Sequence, residues 1–351
     1  MQSAQGVNLI SVFENMQFFE HNGGHCQPIL YEFPSDPSIG HFELRNFCTI
    51  ESLCTSQSID CEFHQQQGVR ALYSSSEVAA AQRSVQTLRQ TDASLASHVR
   101  VVTDAQELGR LRVPTAKGAV VTDVAARMWP YKFVARILSD LVTSHELHGT
   151  FNLQTHTAVT SIECTTPTPL TSSSSSSSDQ QWTVETARGS LTAGTVILAT
   201  NAYTSHLLPS FTDLIVPARG QMSALVPPPC AAGDKRLRTS FGFMGPGQDD
   251  YLVQRPSERG GQLMFGGGRS EGDSLATVDD SVVEPATAAY LRRSLFALLG
   301  LHSNHGGDGG GGGGREGKGK GKGKGKGKGK GKGKGKGKGK GKGKGRQGKE
   351  R

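Results

Sequence analysis

Four short stretches hold residues that could do chemistry. In His21-Asn22-Gly23-Gly24-His25, paired glycines lie between two imidazoles. Such a pair lets the backbone approach a ligand closely and turn its N–H groups toward it. Asn22-Gly23 also suits an ordinary tight turn. Ala199-Thr200-Asn201 closes the apolar, β-branched run that begins at Thr195. Small and polar residues at the carboxyl end of a buried parallel strand are where open α/β sheets bind ligands. Arg219-Gly220-Gln221 brings a lone guanidinium and an amide. Tyr251 and Gln254 lie on a predicted hairpin strand that could present them to a substrate. No Ser-His-Asp triad or paired carboxylates are visible. The six cysteines form no C-x-x-C pair, so neither a zinc site nor a redox pair is indicated. Cys48, Cys54, Cys61 and His64 are too loosely spaced to prefer a metal over free thiols, and no metal is expected.

The elements that must position these residues follow from periodicity. Val7–Phe13 reads as a strand, as do Asp60–Phe63 and Gly68–Tyr73. Phe42–Phe47 opens a patterned, helix-like stretch. Ser76–Gln90 reads as a helix capped by Ser76, with Val78, Ala81, Val85 and Leu88 at helical spacing, and Leu108–Leu111 as a shorter one. Pro130 suits a first helical turn, and Phe133, Val134, Ile137, Leu138 and Leu141 then form an inward apolar stripe. Asn152–Glu163 alternates as a strand and forms a hairpin with Trp182–Thr186, its tip lengthened by the serines Ser172–Ser178. Leu214–Pro217 is extended. Asp250–Pro256 and Leu263–Arg269 form a hairpin around Gly260-Gly261, and Pro285–Leu301 is a helix.

The formal charge of +8 on 351 residues is misleading. Residues 315–351 hold 15 Lys, 3 Arg and 2 Glu, a net of +16, so the other 314 residues carry −8. The body is a mildly acidic protein with a core of one large or two joined domains. The Gly-Lys tail cannot bury apolar area and is expected to be disordered, with non-specific binding of RNA or other polyanions as the one use its chemistry suggests. No signal peptide or run of about 18 apolar residues appears, so a cytoplasmic protein without a membrane span is expected.

Taken together, ATNAYT at 199–204, VPARGQM at 216–222, the Asn-Gly-Gly-His loop, the Trp-Pro-Tyr-Lys segment at 129–132, the strand at 152–163 and the hairpin at 250–269 resemble FAD-dependent oxidoreductases of the D-amino-acid oxidase/glycine oxidase type. The resemblance covers residues 21–301. It implies a mixed α/β fold in which an incomplete, Rossmann-like FAD-binding part (about 21–75 and 150–215) interleaves with an antiparallel substrate part (about 76–149 and 216–301). Residues 1–20 form an atypical lead and 302–351 the tail. It implies FAD contacts at Asn22, Gly23, Gly24, His25, Val159, Ala199, Thr200 and Asn201, and substrate contacts at Arg219, Gln221, Tyr251 and Gln254. Arg219 would face a substrate carboxylate or the reduced flavin, while His21 and His25 shape the loop. The implied reaction is oxidation of a small amine or amino acid by hydride transfer from carbon to flavin, with no catalytic side chain identified. His21 replaces the family's arginine. Only 20 residues with one glycine precede it, whereas a strand, G-x-G-x-x-G turn and helix need about 30 residues. Weak FAD affinity is therefore expected. The rival expectation is a non-enzymatic binding protein acting through the tail.

Overall fold

The computed structural model describes residues 23–144, 151–165 and 181–301, together with the strand Val7–Ile10. Asn22, the serine insertion and the tail lie outside the described residues, as do the expectations placed on them. The chain divides into Met1–Ser303 and Asn304–Arg351, and only the first is described below.

In chain order the strands are β1 (Val7–Ile10), β2 (His25–Cys26), β3 (His64–Leu72), β4 (Val99–Val102), β5 (Gly118–Arg127), β6 (Phe151–Gln154), β7 (Val159–Thr165), β8 (Gln181–Thr186), β9 (Gly189–Ala193), β10 (Met222–Leu225), β11 (Thr239–Gly245), β12 (Gln248–Gln254) and β13 (Leu263–Gly266). The helices are α1 (Pro37–Ser56), α2 (Ser75–Thr91), α3 (Ala93–Ser97), α4 (Ala105–Arg110), α5 (Pro130–Thr143), α6 (Thr204–Leu207) and α7 (Pro285–Leu298).

An eight-stranded sheet, ordered β10-β13-β12-β11-β3-β5-β2 with β4 beside β5, dominates the fold. Its pairs are antiparallel except β11 with β3. Because side chains alternate along a strand, each face takes its own cover. Phe241, Phe243, Leu252 and Phe265 leave one face and pack with Leu291 and Leu295 of α7. On the other face, Leu72, Val99 and Val120 pack under Val85 and Leu88 of α2. The remaining sheets are the parallel pair β1–β6 and the meander β7-β8-β9. Among the described residues no helix is long and apolar enough to cross a membrane.

Helix α2 is capped two residues before the expected position. Ser74 is the N-cap, and its Oγ accepts from Glu77 N while Glu77 Oε2 accepts from Ser74 N. This reciprocal box satisfies two end donors that would otherwise lack partners. Ser74→Ala is expected to cost about 1 kcal/mol, read as a lower urea midpoint. Ser76→Ala should leave the midpoint unchanged, and equal effects from the two substitutions would show that the cap is misassigned.

Several expectations are corrected. Thr195–Thr200 is not a strand: Ile197 is 87% exposed, and no neighbouring strand among the described residues takes its N–H and C=O groups. Leu214–Pro217 is likewise irregular, with only a bridge from Ala218 to Leu275 following it. Asp60–Phe63 forms a loop because Glu62 adopts φ 60°, which breaks the extended path. Residues 152–163 divide into β6 and β7 around the positive-φ residue His156. The stripe of α5 is half-buried rather than fully inward, with Phe133 and Ile137 resting on Cys54, Ile59 and Cys61.

Candidate active site

The face of β10, β13 and β12 opposite α7 carries the site. Tyr251 pairs with Gly266 and Gly266 with Met222, and the next column is Val253, Met264 and Ala224. Gly266 leaves room for its neighbours, since a Cβ there would come 2.7 Å from Tyr251 Cζ and would overlap Met222 Sδ. Gly23 packs against the same ring, as a Cβ on it would lie 2.6 Å from Tyr251 Cε2. Gly24 has φ 76°, which favours glycine, and its carbonyl accepts from Met128 N at 3.0 Å.

A cavity of about 400 Å³ opens between these elements. Its apolar wall is Met128, Trp129, Pro130, Ala224, Val253 and Met264. Its polar wall is Glu62, Arg127, Gln254, Arg255 and Gln262, and Gly23 and Gly24 line it through their backbone. The Glu62 carboxylate, 5% exposed, meets Arg255 Nη2 at 2.8 Å and Nε at 3.3 Å. Arg255 and Lys132 lie over Trp129, 4.7 and 4.9 Å from its ring centre. The Glu62 carbonyl accepts from Arg127 Nη1 at 3.0 Å. His25 stacks on Tyr251 with centroids 6.4 Å apart. Burial holds His25 neutral down to about 4, and burial, reinforced by Asp250, raises the Tyr251 phenol.

The remaining expected site residues separate into three fates. Gly23, Gly24, His25 and Tyr251 come together as described. Val159 packs with Val184 and Leu207, and Thr200 bonds its hydroxyl to Thr204 Oγ1 at 2.8 Å. Ala199 and Asn201 are exposed beside it, so these four form a second group around β7 and α6. The side chains of Arg219 and Gln221 are engaged elsewhere, while Gln254 lines the cavity with its side chain bonded to main chain. Arg219 donates to the carbonyls of Asp279 and Asp273, both at 2.9 Å, and straps a loop. Gln221 clamps Glu284 through its main-chain N–H and carbonyl. Gln254, 2% exposed, accepts from Leu237 N and donates to the carbonyls of Ala231 and Gly261. Sequence reasoning missed Glu62, Arg127 and Arg255. The available signal was a charged residue, Arg127, ending the otherwise buried run of β5.

The residues fit FAD at its ring end. There a glycine pair and the Trp129 ring line a cavity, and the orphaned, buried His25 Nε2 lies on the residue that follows the glycines. Among the described residues no glycine turn opens a helix to receive the pyrophosphate.

The family described as FAD dependent oxidoreductase (DAO) matches residues 20–304. No curated protein matches the chain. Solved structures share the fold. Glycine oxidase from Geobacillus kaustophilus is 17% identical with a TM-score of 0.55, covering 78% of this chain and 66% of its own. Iminodiacetate oxidase from Chelativorans sp. BNC1 is 14% identical with a TM-score of 0.58, covering 85% and 73%. L-proline dehydrogenase from P. horikoshii is 14% identical with a TM-score of 0.52, covering 74% and 63%. The chain thus spans just under two thirds of the first and last of these proteins.

Proposed function

The chain belongs to the FAD-dependent oxidoreductase family, and from that premise we propose that it oxidises a small amine or amino acid at the carbon bearing the nitrogen. The family match over residues 20–304 carries this reading. The names of the structural neighbours, two oxidases and a dehydrogenase of amino or imino acids, favour the same substrate class.

Bound FAD would supply the acceptor for the hydride leaving the substrate carbon. The protein's own contribution is placement and exclusion of water. The Gly23 and Gly24 main chain would lie against the ring. Val253, Met264 and Met222 form an apolar roof that keeps solvent from the reacting carbon. Tyr251, braced by His25, limits how the substrate can lie and keeps its proton on the phenol oxygen. His25 stays uncharged at neutral pH and can offer Nε2 as one hydrogen-bond partner. Ala199, Thr200, Asn201 and Val159 remain our candidates for the rest of the cofactor.

The test is to purify the full chain with excess FAD, remove free flavin and record the visible spectrum. Retained flavin that bleaches anaerobically when an amine or amino acid is added is the expected result. No retained flavin at any FAD concentration, or retained flavin that no such compound bleaches, would sink the reading. The Gly-Lys tail offers a different activity. Filter binding of RNA with and without residues 317–351 would show whether the tail binds polyanions.

A further inference from the structure

All six cysteines of the chain stand as thiols, and two of them touch. Cys54 Sγ lies 3.5 Å from Cys61 Sγ, with either sulfur able to donate. Cys54 is 8% exposed and Cys61 is fully buried. The residues around the pair are apolar: Ile50, Ile59, Phe63, Met128, Phe133 and Ile137. Two thiols packed only as small apolar groups would not need to face each other.

The backbone brings the sulfurs together across a short turn. Cys54 lies in the last turn of α1, and main-chain bonds then fold the chain back. Gln57 N donates to Leu53 O at 3.0 Å, Ile59 N to Cys54 O at 3.0 Å and Cys61 N to Ile59 O at 2.8 Å. Ser58 at φ 50° and Glu62 at φ 60° make the reversals. Thr55, Ser56, Gln57 and Ser58, which link the two cysteines, are exposed. Sulfurs at this separation are about 1.5 Å further apart than bonded ones. Small side-chain rotations at the two residues span such a gap. The same loop holds the cavity wall, since Cys61 O accepts from Trp129 N at 2.6 Å and the next residue, Glu62, pairs with Arg255.

We propose that Cys54 and Cys61 are a redox-active dithiol, which hydrogen peroxide converts into a disulfide that fixes the loop carrying Glu62. Cys54, the more exposed of the two, attacks a peroxide oxygen as its thiolate. The O–O bond breaks, leaving a sulfenic acid and one water. Cys61 then displaces the sulfenic hydroxyl: the S–S bond forms, the S–O bond breaks and a second water leaves. The two thiols lose two electrons and their hydrogens, and the peroxide is reduced to the two waters. Burial, with Cys61 adding to it, raises the Cys54 thiol to about 12. Its thiolate is therefore scarce at neutral pH and the reaction is slow. The pair records sustained oxidant rather than a brief pulse, and a thiol reductant resets it.

The experiment uses the full chain without added flavin, so its outcome is independent of the flavin-bleaching result. The chain is held overnight in excess hydrogen peroxide, alkylated under denaturing conditions and digested at acidic residues. Cleavage at Glu51 and Asp60 puts Cys48, Cys54 and Cys61 on separate peptides. The expected result is a Cys54 peptide joined to a Cys61 peptide, separated again by dithiothreitol. Amide hydrogen exchange over residues 57–63 should slow at least ~10-fold in the bridged chain and recover on reduction, with α2 unchanged. In Cys54→Ser and in Cys61→Ser, peroxide should leave that exchange unaltered. Cys54 and Cys61 both recovered alkylated, either one bridged to Cys26, or either one oxidised to a sulfinic acid would overturn the proposal. So would a bridge that leaves the loop exchanging as before. If the serine variants do not fold, the peptide map and the exchange of the parent chain decide it.

Discussion

Replacing Glu62 by Ala is expected to destabilise the protein by about 2–3 kcal/mol, chiefly because it strands the Arg255 guanidinium without its counter-charge. The Arg255 side chain is 25% exposed, and its carboxylate partner is 5% exposed. Removing one member of a buried pair usually costs about 3–5 kcal/mol, and the partial exposure of Arg255 and its place over Trp129 reduce that figure. Glu62 also sits at φ 60°, a conformation that an unbranched, non-glycine side chain occupies at a cost of about 1–2 kcal/mol. Alanine retains that strain while losing the ion pair that helps to hold it. The exposed pairs of Asp60 with Lys132 and Arg259 are much weaker, so Asp60→Ala serves as the comparison. Urea unfolding of both variants checks the prediction. A Glu62→Ala shift no larger than that of Asp60→Ala would show that the buried pair adds nothing.

Acidification should destabilise the protein between pH 6.5 and about 4, with His25 as a principal cause. Its imidazole titrates at 6.5 in the unfolded chain and near 4 when folded, because burial disfavours the cation. Within that window the unfolded chain binds more protons, so stability rises with pH. The full contribution, about 3 kcal/mol, is present above pH 6.5 and is lost as pH falls to the folded value. His64 is shifted in the same direction by burial and by Arg127 and Arg236, so the whole profile cannot be assigned to one residue. The decisive measurement is the difference between the parent and His25→Asn. That gap should shrink steadily as pH falls from 7 to about 4. Parallel profiles would exclude His25 as the titrating group.

Residues whose environment is local were legible in the sequence. Pro130 opens α5, Gly260-Gly261 turns between β12 and β13, and Leu291, Leu295 and Leu298 face inward from α7. Each depends on spacing within a dozen residues. What was not legible depends on partners far away. Thr195-Val196-Ile197-Leu198 has the composition of a buried strand, but a strand also needs a ladder, and composition does not supply one. Arg219 and Gln221 resemble ligand-binding residues in type, yet each meets carbonyls more than 50 positions away. Gln254 and Tyr251 lie on one strand with opposite parity, so the two side chains leave opposite faces of the sheet. Glu62 and Arg255 are 193 positions apart, and no local pattern joins them.

Trp129, whose ring centre lies 4.9 Å from the ammonium of Lys132 and 4.7 Å from the guanidinium of Arg255, has an optical consequence. An indole's emission energy follows the field across its ring, and two cations near one ring impose a field unlike that around Trp182, the chain's other tryptophan, on β8. The two chromophores should therefore emit at separable wavelengths. Trp129→Phe would remove the component set by the charged wall, leaving Trp182 as an internal standard. Occupancy of the cavity could then be followed as a colour change in the protein's own ultraviolet fluorescence, without a label.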